Sequence, residues 1–261
     1  MSNGVIGLIP ARFGSKRIPN KNAMPLDGHP LIAYTIAMAI ESGVFERVVV
    51  STDSPDYAEI ARHYGAEVPF LRPSELAADS SRDFDWIHHL LSELERGGSS
   101  YEVFSILRPT SPFRKSETIK RAYEEFCIDK SLDSLRAVEP CSQHPGKMWR
   151  VSGNLLVPVL PVQPDEAEWY SSPTQSLPEV WVQNACIEFA YTRCLFEQKS
   201  ISGKRIVAFK TVFPEGFDLN TQTDVASLNL LLDSGQYSLP TINAEPFAVQ
   251  EDKLARHQQL R

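Results

Sequence analysis

Val5-Ile-Gly-Leu-Ile9 runs directly into Pro10-Ala-Arg-Phe-Gly-Ser-Lys-Arg-Ile-Pro-Asn-Lys-Asn22, and the junction between the two decides the fold. The apolar run suits a strand buried on both faces, whereas the segment after it is too rich in Pro, Gly and Lys/Arg to extend that strand. Pro30 then stands where a helix can open, and Leu31 to Ile40 is apolar almost all round, as expected of a helix packed between a sheet and further structure. Strand, cation-bearing loop and buried helix together make the first half of a βαβ unit.

The alternation repeats along the chain. Arg47 to Ser51 reads as a strand, Ser54 and Pro55 cap and open a helix to about Tyr64, and Glu67 to Leu71 reads as a third short strand. Phe84 to Leu94 is predicted helical, Val103 to Leu107 a strand, Glu117 to Phe126 a helix with Ser116 as its cap, and Ser134 to Val138 a strand. Ile187 to Tyr191 and Ile206 to Lys210 follow as strands. A sheet-covering helix runs from Thr221 to Leu232, with Val225, Leu228 and Leu232 on one face. Strands separated by helices at this spacing imply right-handed crossovers, hence an α/β fold with a doubly wound, mostly parallel sheet. Between Glu139 and Gln183 the prolines fall too close together for ordinary helices. The expected organisation is an α/β domain over 1–138 and 184–235, an inserted segment of two strands and a loop over 139–183, and a tail over 236–261 with a short helix near Lys253 to Gln259.

The 261 residues carry 26 Lys plus Arg against 33 Asp plus Glu, a formal charge of −7, which argues against a general binder of nucleic acid or of anionic membranes. Any anion must be held by a local basic site. The four cysteines form no C-x-x-C and no metal-ligand spacing with histidine, so reduced thiols are expected. Basic residues follow the first apolar run instead of preceding it, and no stretch is long enough to span a bilayer, so the expected compartment is the cytoplasm. His88 and His89 are adjacent and lack H-E-x-x-H context, which makes them boundary residues. Trp149, Trp169 and Trp181 are expected to bury apolar area.

In a doubly wound sheet the ligand lies beyond the carboxyl ends of the strands, which directs attention to three loops. The first gathers Arg12, Lys16, Arg17 and Lys21, with Gly14 and Ser15 letting main-chain N–H groups approach an anion, as a polyphosphate requires. Neither the P-loop nor the dinucleotide fingerprint is present. The second, Leu107-Arg-Pro-Thr-Ser-Pro-Phe-Arg114, is stiffened by two prolines and offers Arg108, Thr110, Ser111 and Arg114 as polar contacts. The third, Gly216 to Asp224, places Asp218 and Asn220 before the last helix, oxygen ligands that suit Mg²⁺, while Thr221 and Asp224 fit a capping box.

Taken together and in order, these loops resemble the acylneuraminate cytidylyltransferases that activate sialic acid and related nonulosonic acids as CMP-sugars. The first motif, P-A-R-x-x-S-K-x-x-x-x-K-N, is matched by Pro10, Ala11, Arg12, Ser15, Lys16, Lys21 and Asn22. Val50-Ser-Thr-Asp53, Leu71-Arg-Pro-Ser-Glu-Leu-Ala-Ala-Asp79, the P-T-S-P-x-R core of Pro109 to Arg114, His144-Pro145 with Lys147, Gln175, Leu177-Pro178, Gln183-Asn184 and Phe217-Asp218 continue the likeness. The resemblance implies a nucleotide-diphospho-sugar transferase-like fold and a reaction of CTP with a sugar acid that yields a CMP-sugar and pyrophosphate. It implies Mg²⁺, or Mn²⁺, as cofactor and a homodimer formed through the inserted segment. It also implies roles: Arg12, Lys16 and Lys21 for the triphosphate and developing charge; Ala11, Ser15, Asn22, Arg72, Asp79, Pro109 and Ser111 for the nucleotide; Arg108, Lys147, Gln175, Asn184 and Glu188 for the acceptor; Asp218 and Asn220 for the metal. In-line phosphoryl chemistry relies on positioning and charge neutralisation, and no Ser-His-Asp or Cys-His set competes for the role.

The chain departs from that family where the acceptor is expected. Arg108 replaces Gln before P-T-S-P, Asn184-Ala-Cys-Ile-Glu188 replaces N-G-A-I-Y, Thr174 replaces Arg, Asn220 replaces a second acid, and Asp83 replaces Ser or Thr. A transferase acting on a sugar 1-phosphate and a catalytically silent relative are the alternatives.

Overall fold

The computed structural model describes residues 4–161 and 167–247, and the helix expected near Lys253 to Gln259 lies outside them. The chain divides into two compact units, 1–137 with 184–261 and, separately, 138–183.

The first unit is built on a six-stranded sheet. Its elements begin with β1 (Val5–Pro10), the two-residue strands β2 (Pro25–Leu26) and β3 (His29–Pro30), α1 (Leu31–Ser42), β4 (Arg47–Ser51), α2 (Pro55–His63) and α3 (Asp83–Arg96). They continue with β5 (Val103–Ile106), α4 (Ser116–Cys127) and β6 (Ser134–Pro140). The second unit contributes β7 (Trp149–Ser152) and β8 (Leu155–Pro158), after which come β9 (Trp181–Tyr191), α5 (Thr192–Phe196), β10 (Ile206–Lys210) and α6 (Gln222–Asp233). The sheet order is β10-β6-β9-β5-β1-β4.

Alternation along the strands explains the layers. Val5 and Ile9 of β1, Val48 and Val50 of β4, and Val103 of β5 pack in one apolar cluster with α1, α2 and α4. Ile6, Leu8, Val49, Phe104 and Ile106 point to the opposite face and meet Trp86, Ile87, Leu90 and Leu94 of α3. A strand with both faces buried must be apolar at every position, which is why β1 shows no polar alternation. Gly7 is the exception in size: a Cβ there would come 3.0 Å from the Phe45 ring, so the sequence leaves it out.

Three expectations are corrected, and within the mostly parallel sheet one strand takes a direction that the sequence left open. Glu67 to Leu71 is not a strand; one parallel bridge, Val49 to Glu67, is all that forms there. β1 pairs in parallel with β4 and β5, but β9 runs antiparallel to β5, with Ile106 opposite Glu188. The helix after β5 begins at Ser116 itself, with Lys115 at the cap position, and the Ser116 hydroxyl donates to Glu41 instead of capping. Finally, α6 does not cover the sheet. Its Leu228, with Val225 and Leu232 beside it, packs on Leu26, Leu31, Tyr34, Phe113 and Leu219, a separate apolar cluster outside α1.

The second unit contains the antiparallel hairpin β7–β8, closed by Gly153 and Asn154, with Gly153 at a φ of 63°. His144 Nδ1 accepts from the Gly146 N–H at 3.0 Å, so its Nε2 donates to the Pro178 carbonyl at 3.1 Å. Lys147 donates to the Ser172 carbonyl at 2.7 Å, Trp149 packs on Tyr170 and Trp169 on His144. Val151, Leu155 and Leu156 are exposed.

Among the described residues no helix is long and apolar enough to cross a membrane. All four cysteines are free thiols. His88 sits between Phe84 and Phe196, and His89 against Phe70, both at the boundary of the core.

Candidate active site

The carboxyl ends of β1 and β5 open into a cleft of about 300 Å³ whose walls come from all three loops singled out in the sequence. Arg12, Ser15, Lys16, Arg17, Lys21 and Asn22 form one side, Asp218 and Asn220 lie beside Lys21, and Arg72, Asp83, Trp86, Arg108 and Pro109 form the other. Parallel strands ending side by side make this edge the natural ligand position.

The cationic loop is held by its own carboxylates. Arg12 reaches Asp79 Oδ1 at 2.7 Å and Lys16 reaches Asp79 Oδ2 at 2.5 Å, so one exposed carboxylate links two cations. Lys16 and Arg12 in turn hold the Asp79 carboxyl below its ordinary range. Lys21 is more deeply placed and donates to the Leu219 carbonyl at 2.9 Å and to Asn220 Oδ1 at 3.3 Å. Burial pushes its ammonium down to about 8; Asp218 opposes the fall, and Arg17 and Arg12 add to it. Asn22 donates to the Arg12 carbonyl at 3.4 Å and so ties the two ends of the loop.

Asp218 presents an oxygen of a different kind. Its Oδ2 accepts from the Asn220 amide, while Oδ1 is buried without a protein partner. A buried carboxylate oxygen left unsatisfied is costly unless a cation or ordered water meets it. Among the described residues there is no cluster of three or more His, Cys, Asp or Glu side chains, so a dedicated all-protein metal cage is not formed. Mg²⁺ does not need one, since it takes one or two carboxylates together with substrate phosphates and waters. The donor set therefore fits such an ion, with Asp218 as the ligand. Asn220 Oδ1 accepts from Lys21 at 3.3 Å and from Arg17 at 3.4 Å, and points to the cations. Asp224 is used otherwise: its carboxylate accepts from the Asn220 and Thr221 N–H groups and completes the capping box of α6.

On the opposite wall Arg72 is buried and lies over the Trp86 ring at 4.7 Å, donating to Ser51 Oγ at 3.0 Å and to the Ser51 carbonyl at 2.8 Å. Arg108 meets Asp83 at 2.6 Å and Glu188 at 3.2 Å, and Glu188 also receives Arg136 at 2.8 Å. The antiparallel register explains how Arg108 and Glu188 meet: Glu188 lies opposite Ile106, two residues before Arg108.

Some predicted site residues lie away from the cleft surface. Ala11 is fully buried and its N–H donates to the Ser51 carbonyl at 2.9 Å. Ser111 is buried beneath the second loop with its hydroxyl unpartnered. Asn184 donates to Thr211 Oγ1 at 2.8 Å and accepts from the Cys186 N–H. Lys147 and Gln175 belong to the second unit. Arg114, expected to offer a ligand contact, is a core residue instead. It is 1% exposed and donates to the Cys186 and Arg108 carbonyls and to Thr35 Oγ1, which fixes the loop bearing Arg108.

Asp83, noted in the sequence only as a departure, and Trp86, not singled out there, complete the wall, and Arg136 stands behind it on Glu188. Trp86 is indistinguishable by spacing from the apolar residues of α3. Arg136 did leave a signal: a charged residue within a strand otherwise read as buried requires a partner.

A doubly wound sheet with a cationic loop facing an acid at its carboxyl edge defines a nucleotidyltransferase, and the comparisons with known proteins agree. The pattern of the cytidylyltransferase family matches residues 6–135. The chain is 36% identical over 238 residues to the CMP-N,N'-diacetyllegionaminic acid synthase of Legionella pneumophila subsp. pneumophila, covering 90% of this chain and 99% of that one. It is 49% identical over 126 residues to the N-acylneuraminate cytidylyltransferase of Escherichia coli O18:K1:H7, covering 48% of this chain and 29% of that protein. The solved structure of a CMP:2-keto-3-deoxy-manno-octonic acid synthetase complexed with CTP shares the fold, with a TM-score of 0.63 at 13% identity over 89% of this chain and 99% of that one. The chain belongs to the cytidylyltransferase family.

Proposed function

We propose that this protein activates a nonulosonic acid or similar acidic sugar with CTP, releasing pyrophosphate and giving the CMP-sugar. The observation that carries the reading is the pairing of Lys21, Arg17 and the linked Arg12 and Lys16 with a single buried Asp218 oxygen that lacks a protein partner. The names of relatives, a CMP-legionaminic acid synthase and an N-acylneuraminate cytidylyltransferase, support a sugar acid as acceptor.

In the reaction a hydroxyl oxygen of the acceptor bonds to the α-phosphorus of CTP and releases its proton to solvent, while the bond from that phosphorus to the oxygen bridging to the β-phosphate breaks and pyrophosphate leaves with that oxygen. Arg12 and Lys16 exchange Asp79 for phosphate oxygens. Ion pairs this exposed are weakened by solvent, so a multiply charged triphosphate displaces Asp79 readily. Lys21, fixed by Leu219 and Asn220, is preorganised to meet charge that moves toward the leaving group. Mg²⁺ held by Asp218, with Mn²⁺ as the alternative ion, would supply charge neutralisation of the phosphates. Ser15, Asn22, Arg72 and Pro109 stand where the nucleotide would lie, with Ala11 and Ser111 shaping the backbone beneath. We assign Arg108 to the acceptor side, with Glu188 acting through it and Asn184 through the strand it braces; for Lys147 and Gln175 an acceptor role rests on the family resemblance alone.

The exposed apolar hairpin of that unit is proposed as the contact for a second copy of the chain, since a two-stranded ribbon with Val151, Leu155 and Leu156 open is a surface that asks for cover. A sugar 1-phosphate acceptor is the weaker reading, because Arg108 is already met by two carboxylates. The absence of a membrane-crossing helix in the described residues is consistent with a cytoplasmic enzyme. The test is pyrophosphate release from CTP with a panel of nonulosonic acids and sugar 1-phosphates. Turnover confined to a sugar 1-phosphate, or no turnover at all, would sink the proposal, and N-acetylneuraminic acid should be turned over less efficiently than a modified nonulosonate.

A further inference from the structure

Four charged side chains run in a line from the cleft into the sheet: Asp83 in the first turn of α3, Arg108 after β5, Glu188 on β9 and Arg136 on β6. Asp83 is fully engaged, since Trp86 Nε1 donates to its Oδ1 at 2.8 Å and Arg108 to its Oδ2 at 2.6 Å. Glu188 is 5% exposed and gives one oxygen to Arg108 and the other to Arg136. Arg108 differs from its neighbours. Its Nη2 alone makes both carboxylate contacts, which leaves the remaining nitrogens of a cleft-lining side chain to donate to a ligand.

The charges in this line sum to zero. Burial raises the Asp83 carboxyl, but Arg108, Trp86 and Arg72 together bring it below its ordinary range, so Asp83 is ionised at neutral pH. An anionic group placed against Arg108 would stand close to two carboxylates, and a buried charge without a partner of its own is costly. A neutral carbonyl or hydroxyl oxygen accepts the same N–H donors without that penalty, and a pinned guanidinium loses little freedom in donating them.

Resting on the reading of the chain as a sugar-acid cytidylyltransferase, we propose that Asp83 is a positioning and specificity-determining residue. With Glu188 it pins Arg108 and cancels its charge, so that Arg108 donates to a neutral oxygen of the acceptor, an acyl carbonyl or a hydroxyl, and rejects an anionic substituent there.

The experiment compares two acceptors that differ only in one acyl group, a diacetamido nonulosonic acid and its N-succinyl analogue, which carries a carboxylate at the end of the same amide. Wild-type enzyme should favour the acetyl form by at least about tenfold in kcat/KM, carried by KM. Asp83→Asn should move that ratio toward the succinyl form by about tenfold, Glu188→Gln should move it in the same direction, and Arg108→Gln, which leaves both carboxylates without their cation, should widen the preference for the acetyl form. A merely structural role for Asp83 would lower both rates together and leave the ratio where it was. A ratio unchanged in both Asp83→Asn and Glu188→Gln, or a wild-type enzyme with no preference, overturns the inference while the proposed function stands. Failure of the wild-type enzyme to use either acid, or any other sugar acid, overturns the proposed function and the inference with it.

Discussion

Raising the pH from 7 to 9 should loosen the hold on CTP through one side chain. Burial brings the Lys21 ammonium down to about 8, against an ordinary value of 10.5. At that value about nine-tenths of the free enzyme carries the Lys21 charge at pH 7 and about one-tenth at pH 9. A lysine loses its charge as pH rises through its pKa, so kcat/KM for CTP, which reports the free enzyme, should fall about tenfold between pH 7 and pH 9. Once the triphosphate is bound its charge favours the ammonium, so kcat should fall less and at higher pH. Lys21→Arg keeps a cation that does not titrate in this range, and its profile should lose the alkaline limb whatever its absolute rate. Lys21→Ala should fold normally and lose about 10²- to 10³-fold in kcat, the cost of removing one preorganised donor to developing charge. The assay is pyrophosphate release at saturating acceptor and varied CTP across the pH range. A wild-type profile flat to pH 9.5, or an alkaline limb retained in Lys21→Arg, would refute the reasoning.

Asp218→Asn should reduce activity sharply and abolish the rate response to added Mg²⁺, because two neutral amides would stand where the ion needs a carboxylate; an unaltered metal titration would place the ligand elsewhere. Gly203→Ala should lower stability by about 2–4 kcal/mol, read as a drop in Tm. The new Cβ would lie 2.6 Å or less from the Asp133 side chain at a φ of 66°, and an unchanged Tm would show that Asp133 yields freely. Leu156→Lys on the exposed hairpin should shift the protein toward monomer in light scattering while leaving its thermal unfolding in place; a mass identical to wild type would remove that surface from the proposed dimer.

Most of the sheet was legible because a strand buried on both faces leaves an unmistakable apolar run, as at Val5 to Ile9 and Val48 to Val50. What the sequence did not convey was direction. Nothing in Ile187 to Tyr191 distinguishes a parallel neighbour of β5 from an antiparallel one, because that is set by where the chain re-enters the sheet. Glu67 to Leu71 had the length and apolar content of a strand but found a partner at a single residue. That the cations of the first loop gather at one cleft was legible from loop chemistry, since several cations on an acidic protein need a reason to be together. Arg114 misled for the opposite reason: an arginine beside two prolines reads as a surface contact, and only tertiary packing supplies the carbonyls that let it sit at 1% exposure. The Asp83–Arg108–Glu188–Arg136 line was half legible, because Asp83, Arg108 and Glu188 stand out as departures from the family, whereas their meeting, and the place of Arg136, depend on the helix and strands that carry them.

The contact between Lys21 and the Leu219 carbonyl joins residues 198 positions apart, and Thr110 and Leu219 bind the same stretch to the second loop. During synthesis at roughly 5–20 residues per second, the segment bearing Asp218 emerges about 10–40 s after the cationic loop. For that interval the nascent chain displays Arg12, Lys16, Arg17 and Lys21 with no Asp218 to face them. A cluster of unopposed cations is a non-specific trap for any polyanion nearby, ribosomal RNA included. Asp79, which follows the loop by some sixty residues and links Arg12 to Lys16, therefore gives the growing chain a counter-ion for two of these cations long before the segment that completes the site has been made.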